Sequence, residues 1–189
     1  MHEVSLGGTL RDYLTGEEVE ETTFEEIRQA LAKFLVEEKG YPRDRIRSKV
    51  KLSYTIDGEE FDRAIDFIIY DEKDRPLLLF IFCSGAISTY ERETVCAARL
   101  LENGPAPFAV ATDTMDAALL EVKSGECVKQ GMEAVPTWEE LRQMAESAEL
   151  PKLTAEQREK QTRIFHTYSG FLFGACCKGA CPPAGPKKK

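Results

Sequence analysis

The sequence predicts an α/β domain, a mixed β-sheet flanked by helices, followed by a C-terminal helix and a Cys-rich tail. Three observations carry that prediction. Apolar residues recur at helical spacing from Phe24 to Leu35 and again from Val95 to Leu101. Between these stretches lie the strand-like runs "IRSKVKLSYTI", "RAIDFIIYD" and "LLLFIFC", separated by the turn-like "DGEE" and "DEKDRP". After the second helical stretch, "PFAVATD" reads as a further strand, and the helix before it is long enough for a parallel crossover.

Taken in order, residues 1–21 are polar and acidic and read as a loose lead-in; residues 22–150 make the domain, and 151–189 the C-terminal helix and tail. Thr23 and Glu26 have capping-box spacing at the head of the first helix. Its apolar stripe is Phe24, Ile27, Ala30, Leu31, Phe34 and Leu35, and Gly40 and Pro42 stop it. The first strand alternates, with Val50, Leu52, Tyr54 and Ile56 on one face. Asp57-Gly58 then predicts a tight turn into an antiparallel partner. The third strand is apolar on both faces, as a central buried strand must be. Ser88 and Glu91 have the spacing of a second capping box, before a helix that closes at Asn103-Gly104. "ALLEVKSGECVK" reads as a hairpin around Ser124-Gly125; Thr137 with Glu140, and Thr154 with Gln157, open two last helices. The only low-complexity segment is "CPPAGPKKK".

Charge narrows the function classes. The net charge is −8, from 33 acidic and 25 basic residues, a poor footprint for gripping nucleic acid through phosphate contacts. The local exceptions are Arg43, Arg45, Arg47, Lys49 and Lys51, which read as a solvated strand face, and the terminal lysines. No apolar run approaches a bilayer span, and "MHEVSLGGTLRDYL" lacks the marks of a signal peptide. The expectation is a cytoplasmic protein with no membrane partner, whose six cysteines stay reduced.

"LVEEKGYPRDRI", "DRAIDFIIYDEKDRPLLLF", "PFAVATD" and "GMEAVPTWEEL" carry a family likeness. From about Phe24 to Leu141 the chain resembles the N-terminal nuclease domain of type I restriction enzyme R subunits. That domain belongs to the PD-(D/E)xK, or restriction-endonuclease-like, superfamily. The resemblance implies that superfamily's mixed sheet and a Mg²⁺ site. An Asp on the second strand and a Glu on the third would bind the ion, and a Lys two residues beyond the Glu would assist the attacking water. Here the Asp is Asp66, but the Glu falls on Ile81 and the Lys on Cys83. A Gln-x-x-x-Tyr pair of the following helix falls on Cys96 and Leu100, and a first-strand acid falls near Ser48 or Lys49. Asp66 alone would hold Mg²⁺ only weakly, because a hard cation needs several oxygen ligands. The site Asp66, Ile81, Cys83, Cys96 is therefore degenerate unless Glu91, Glu93 or Lys49 takes over.

Cysteine supplies a separate chemistry. Cys83 and Cys96 read either as small buried hydrophobes or as neighbouring thiols where a nuclease keeps Lys and Gln. In the tail, His166, Cys176, Cys177 and Cys181 are candidate ligands for Zn²⁺ or an iron–sulfur cluster, if a turn at Ser169-Gly170 brings the imidazole back. The rival reading is a plain tail. Three functions follow. The first is a catalytically inactive nuclease-fold domain that binds another protein or DNA. The second is a Mg²⁺-dependent DNA endonuclease with relocated residues, and the third a Cys-based metal-binding or redox protein. The 189 residues contain no Gly-x-x-x-x-Gly-Lys-Ser/Thr, so no helicase motor is expected within them.

Overall fold

A computed structural model of the chain describes residues 3–173. β1 (Ser5–Arg11) and β2 (Glu18–Thr22) form an antiparallel hairpin that runs straight into α1 (Thr23–Glu37). The central sheet has six strands in chain order: β3 (Ile46–Ile56), β4 (Glu59–Tyr70), β5 (Pro76–Phe82), β6 (Phe108–Thr112), β7 (Ala117–Glu121) and β8 (Cys127–Gln130). α2 (Ile87–Leu100) joins β5 to β6, which pair in parallel; the other neighbours are antiparallel. α3 (Trp138–Ser147) and α4 (Ala155–Phe173) follow. The predicted α/β architecture, a mixed sheet with flanking helices, is the one the chain adopts.

Helices cover both faces of the sheet. α1 and α3 enclose one core, with Leu31, Leu35 and Leu141 against Phe67, Leu78, Phe80 and Val110. α2 and α4 enclose the other, with Val95, Cys96, Ala98 and Phe165 against Ile65, Leu79, Ile81 and Ala109. β5 feeds both cores, which is why "LLLFIF" shows no polar alternation. α2 is buried nearly all round, because the sheet lies on one side of it and α4 on the other.

Three local expectations are corrected. The lead-in is not loose: residues 5–22 hold the β1–β2 hairpin, whose turn is pinned by Asp12, with Oδ1 accepting from the N–H groups of Leu14 and Thr15. α1 is capped one residue earlier than its motif implied. Thr22 has extended backbone and its hydroxyl accepts the Glu25 N–H at 3.0 Å. Its inner face is also rotated, so that Glu25, Arg28, Leu31, Ala32 and Leu35 are buried while Ala30 is exposed. α2 begins at Ile87 after Ala86 with no side-chain cap, so Ser88 and Glu91 are not a box there. The boxes at Thr137/Glu140 and Thr154/Gln157 do form, each with reciprocal bonds.

The β3–β4 turn is built as Asp57-Gly58 predicts, with φ of 51° and 86°. A Cβ added at Gly58 would meet nothing within 4 Å, so alanine there is opposed only by its own backbone preference. Gly58→Ala is expected to cost about 1 kcal/mol. The measurement is a lower urea midpoint with an unchanged slope.

Candidate functional site

Side chains two apart on a strand share a face, but β3 and β4 break this rule together. On β3, Ile46 enters the core under α1, whereas Leu52, of the same parity, enters the core under α2. On β4, Ile65 and Phe67 are likewise split between the two cores. Between the split pairs lie Lys49 and Asp66, placed across from each other by the flanking partners Ser48↔Phe67 and Val50↔Ile65. Lys49 has φ 51°, a left-handed conformation that a non-glycine residue adopts only at a cost, and it reverses the alternation. Asp66 sits at the point where the hairpin changes face.

Asp66 is also across from Ile81, as the pairing Phe67↔Phe80 requires. Its Oδ2 accepts the Phe82 N–H at 2.8 Å, and its Oδ1 accepts from Arg28 Nη2 at 3.3 Å. Arg28 Nη1 donates to Glu25 Oε2 at 2.6 Å, and Lys49 Nζ donates to the same oxygen at 2.9 Å. The side chains of Arg28, Glu25 and Asp66 are 10%, 4% and 14% exposed, so water screens these contacts little. Gln29 Nε2 extends the network from Glu25 Oε1 to Asp12 Oδ2, at 2.7 and 3.0 Å. Burial pushes the Asp12 carboxyl up, but bonds from Thr15, Gln29 and Leu14 outweigh it and hold the group below its usual range.

Ile81 and Cys83 point into the core under α2 and are 0% and 1% exposed. Burial pushes the Cys83 thiol far up, and its Sγ donates to the Ile81 carbonyl at 3.8 Å. Cys96 lies in the same core; burial pushes it to about 11 despite Arg99 and Arg92, and its Sγ donates to Gln161 Oε1 at 3.2 Å. Neither is a thiolate, the form that attacks or binds metal. Leu100 is a buried core residue.

A second buried acid lies on this side. Glu93 on α2 is 0% exposed; Oε1 accepts the Ser169 hydroxyl at 2.6 Å and faces Arg63 Nε at 3.6 Å. Burial raises its pKa above the usual 4.5, Arg63 and Ser169 oppose the rise, and Asp66 adds to it. Glu91, the other candidate replacement, lines a different hollow with Asp113 and Asp116.

Of the positions that the resemblance assigns to Mg²⁺, Asp66 alone carries a carboxylate. Both Asp66 oxygens are engaged by donors, Ile81 brings no oxygen, and Lys49 is held by Glu25. Among the described residues no group of three or more His, Cys, Asp or Glu side chains is placed to hold a metal ion.

Each residue of the basic stretch has a protein partner. Arg43 stacks over the Tyr13 ring at 4.1 Å, and Arg45 donates to the Asp71 carbonyl at 3.1 Å. Arg47, Lys49 and Lys51 pair with Asp74, Glu25 and Asp62 at 2.6, 2.9 and 2.7 Å. Of the tail set, Cys176, Cys177 and Cys181 lie outside the described residues. His166 packs on Phe61, with ring centroids 4.5 Å apart, and its Nδ1 is 3.3 Å from the Tyr54 hydroxyl. The expected turn at Ser169-Gly170 is absent, because α4 continues through it to Phe173.

Sequence reasoning missed Arg28, Glu25, Arg63 and Ser169. For α1 a signal was available: Glu25 and Arg28 extend the Leu31/Leu35 row backwards at i, i+3 spacing, which puts two opposite charges on an inner face. Nothing local marks Arg63 or Ser169, which meet Glu93 only across elements.

A family model described as the type I restriction enzyme R protein N terminus matches residues 23–136. No curated protein and no solved structure matches the chain.

Two outcomes are expected. Arg28→Ala leaves two buried carboxylates short of a cation and is expected to lose about 3 kcal/mol. Adding Asp66→Asn, whose amide oxygen still accepts the Phe82 N–H, should recover part of that loss in a double-mutant cycle of denaturant melts. For Glu93, a raised native pKa means that the folded state binds the proton more tightly than the unfolded chain. That contribution is full below the ordinary value of 4.5 and is lost as pH rises through the raised native one. Glu93→Gln should therefore flatten the fall of melting temperature with pH above 4.5.

Proposed function

The chain belongs to the family of type I restriction enzyme R protein N termini, and on that premise we propose that it is a nuclease-fold domain that cuts no nucleic acid and serves as a binding or interaction module. One observation carries the reading: the Asp66 carboxylate is taken up by Arg28 and the Phe82 N–H, across from a fully buried Ile81. Phosphodiester cleavage of the family kind needs ligand oxygens free to hold a cation that activates water and offsets charge. In this chain the guanidinium of Arg28 stands beside the remaining acid.

Catalysis by relocated residues is less well supported. Glu93 lies within electrostatic reach of Asp66, but it is 0% exposed and already faces Arg63 and Ser169. DNA as the partner is disfavoured by the five cations of residues 43–51, all of which have protein partners. A protein partner suits the acidic, internally paired surface better. No described helix is long and apolar enough to cross a membrane.

The test is a cleavage assay on supercoiled, linear and single-stranded DNA with Mg²⁺ or Mn²⁺. No cutting above background is expected. Ile81→Glu with Cys83→Lys is not expected to restore it, since both side chains would ionise inside a closed core. Metal-dependent cleavage by the unchanged protein, lost in Asp66→Ala, would replace this reading with the relocated enzyme.

A further inference from the structure

α4 lies beyond the matched residues 23–136 and follows a connection, residues 148–154, that carries no helix or strand. It is seated more like a ligand than like a core helix. Of its side chains described up to Ser169, only Phe165 and Ser169 are buried. Its contacts with α2 and its buried anchors fall on one stripe, Arg158, Gln161, Phe165 and Ser169, at the i, i+3, i+7, i+11 spacing of a helix read by a groove, with Ile164 packed on the core and His166 on Phe61 beside it.

Each position of the stripe meets a different feature. Arg158 Nη2 donates to the Leu100 carbonyl at 2.8 Å, at the C-terminal end of α2, where carbonyls lack helical partners and the dipole favours a cation. Gln161 Oε1 accepts from Arg99 Nη1 at 3.0 Å and Cys96 Sγ at 3.2 Å. Phe165 enters the core edge-on to Tyr54, with centroids 5.2 Å apart. Ser169 supplies the hydroxyl bond to buried Glu93, whose Oε2 has no hydrogen-bond partner among the described residues. Beside the stripe, Arg163 pairs with Asp57 at 2.7 Å. The receptor face thus offers a carbonyl end and two carboxylates, and the helix brings two arginines and a hydroxyl. Charge and shape are complementary around a single aromatic anchor.

We propose that α2 and the β3–β4 hairpin form a helix-binding groove, closed in cis by α4 and open to a partner helix presenting arginine, glutamine, phenylalanine and serine at the spacing of that stripe. The proposal rests on reading the domain as an interaction module, and it specifies the partner's chemistry. The tether gives α4 a high effective concentration, so a partner gains access by outcompeting it.

The test keeps the full chain but places a specific protease site within residues 148–154. After cutting, a fluorescein-labelled peptide of residues 152–173 is added and its anisotropy followed. Saturable binding with release of the unlabelled helix is expected, weakened about thirtyfold or more when the peptide carries Phe165→Ala. Because the substitution sits in the peptide, the receptor's folding is not in question. A cut helix that stays bound in large peptide excess, or equal binding by the Phe165→Ala peptide, would overturn the proposal. Dimers of the uncut protein that form with concentration and vanish in Phe165→Ala would overturn closure in cis and assign the groove to a second copy. None of these results bears on DNA cleavage, so this proposal and the nuclease-silent reading fail separately.

Discussion

The arrangement depends most on Arg28, a single guanidinium shared by Glu25 and Asp66. It joins α1 to the sheet where β3 and β4 change face, with Lys49 bonded to the same Glu25 oxygen. Two acids and one guanidinium are nearly closed off from water there, with the exposed Lys49 closing the network from outside, so the buried charges offset much of one another's desolvation cost. The network continues through Gln29 to Asp12, which pins the turn of the N-terminal hairpin. The hairpin, the first helix and the centre of the sheet are thereby held in one register.

This constraint also governs the chemistry. Each Asp66 oxygen already accepts a protein donor, a guanidinium or a backbone N–H. Across the strand, Ile81 and Cys83 extend the apolar core. The other buried acid, Glu93, meets Arg63 and a hydroxyl from α4. Acid groups on the two sides of the sheet thus each meet protein donors, one from the N-terminal side and one from the C-terminal helix.

α4 plays a different part from the other helices. α1 and α2 bury rows of side chains against the sheet, whereas α4 buries Phe165, packs Ile164 and His166 beside it, and is otherwise joined by side-chain hydrogen bonds and ion pairs. Burying one such ring is worth roughly 2–3 kcal/mol, enough to seat a tethered helix but little to hold a free one. The same helix takes His166 into contact with Phe61 and Tyr54.

The sequence by itself determined the elements from α1 onward and their order, but not the N-terminal hairpin. Asp57-Gly58 set the hairpin, the unbroken apolar run at residues 77–82 set the central strand, and the helix after Ala86 set the parallel crossover. These are local properties, of backbone preference and periodicity, and they survive in any context. It also placed Asp66 and Ile81 on neighbouring strands, because strand register follows from short turns. Only the tertiary structure decided what Asp66 does. Arg28 is 38 residues away in sequence, and Ser169 is 76 from Glu93. No periodicity links such positions, and charged residues on a helix read by default as its wet face. The reversal at Lys49 was equally hidden, since a lysine in a left-handed conformation is held there by its surroundings and not by its own preference.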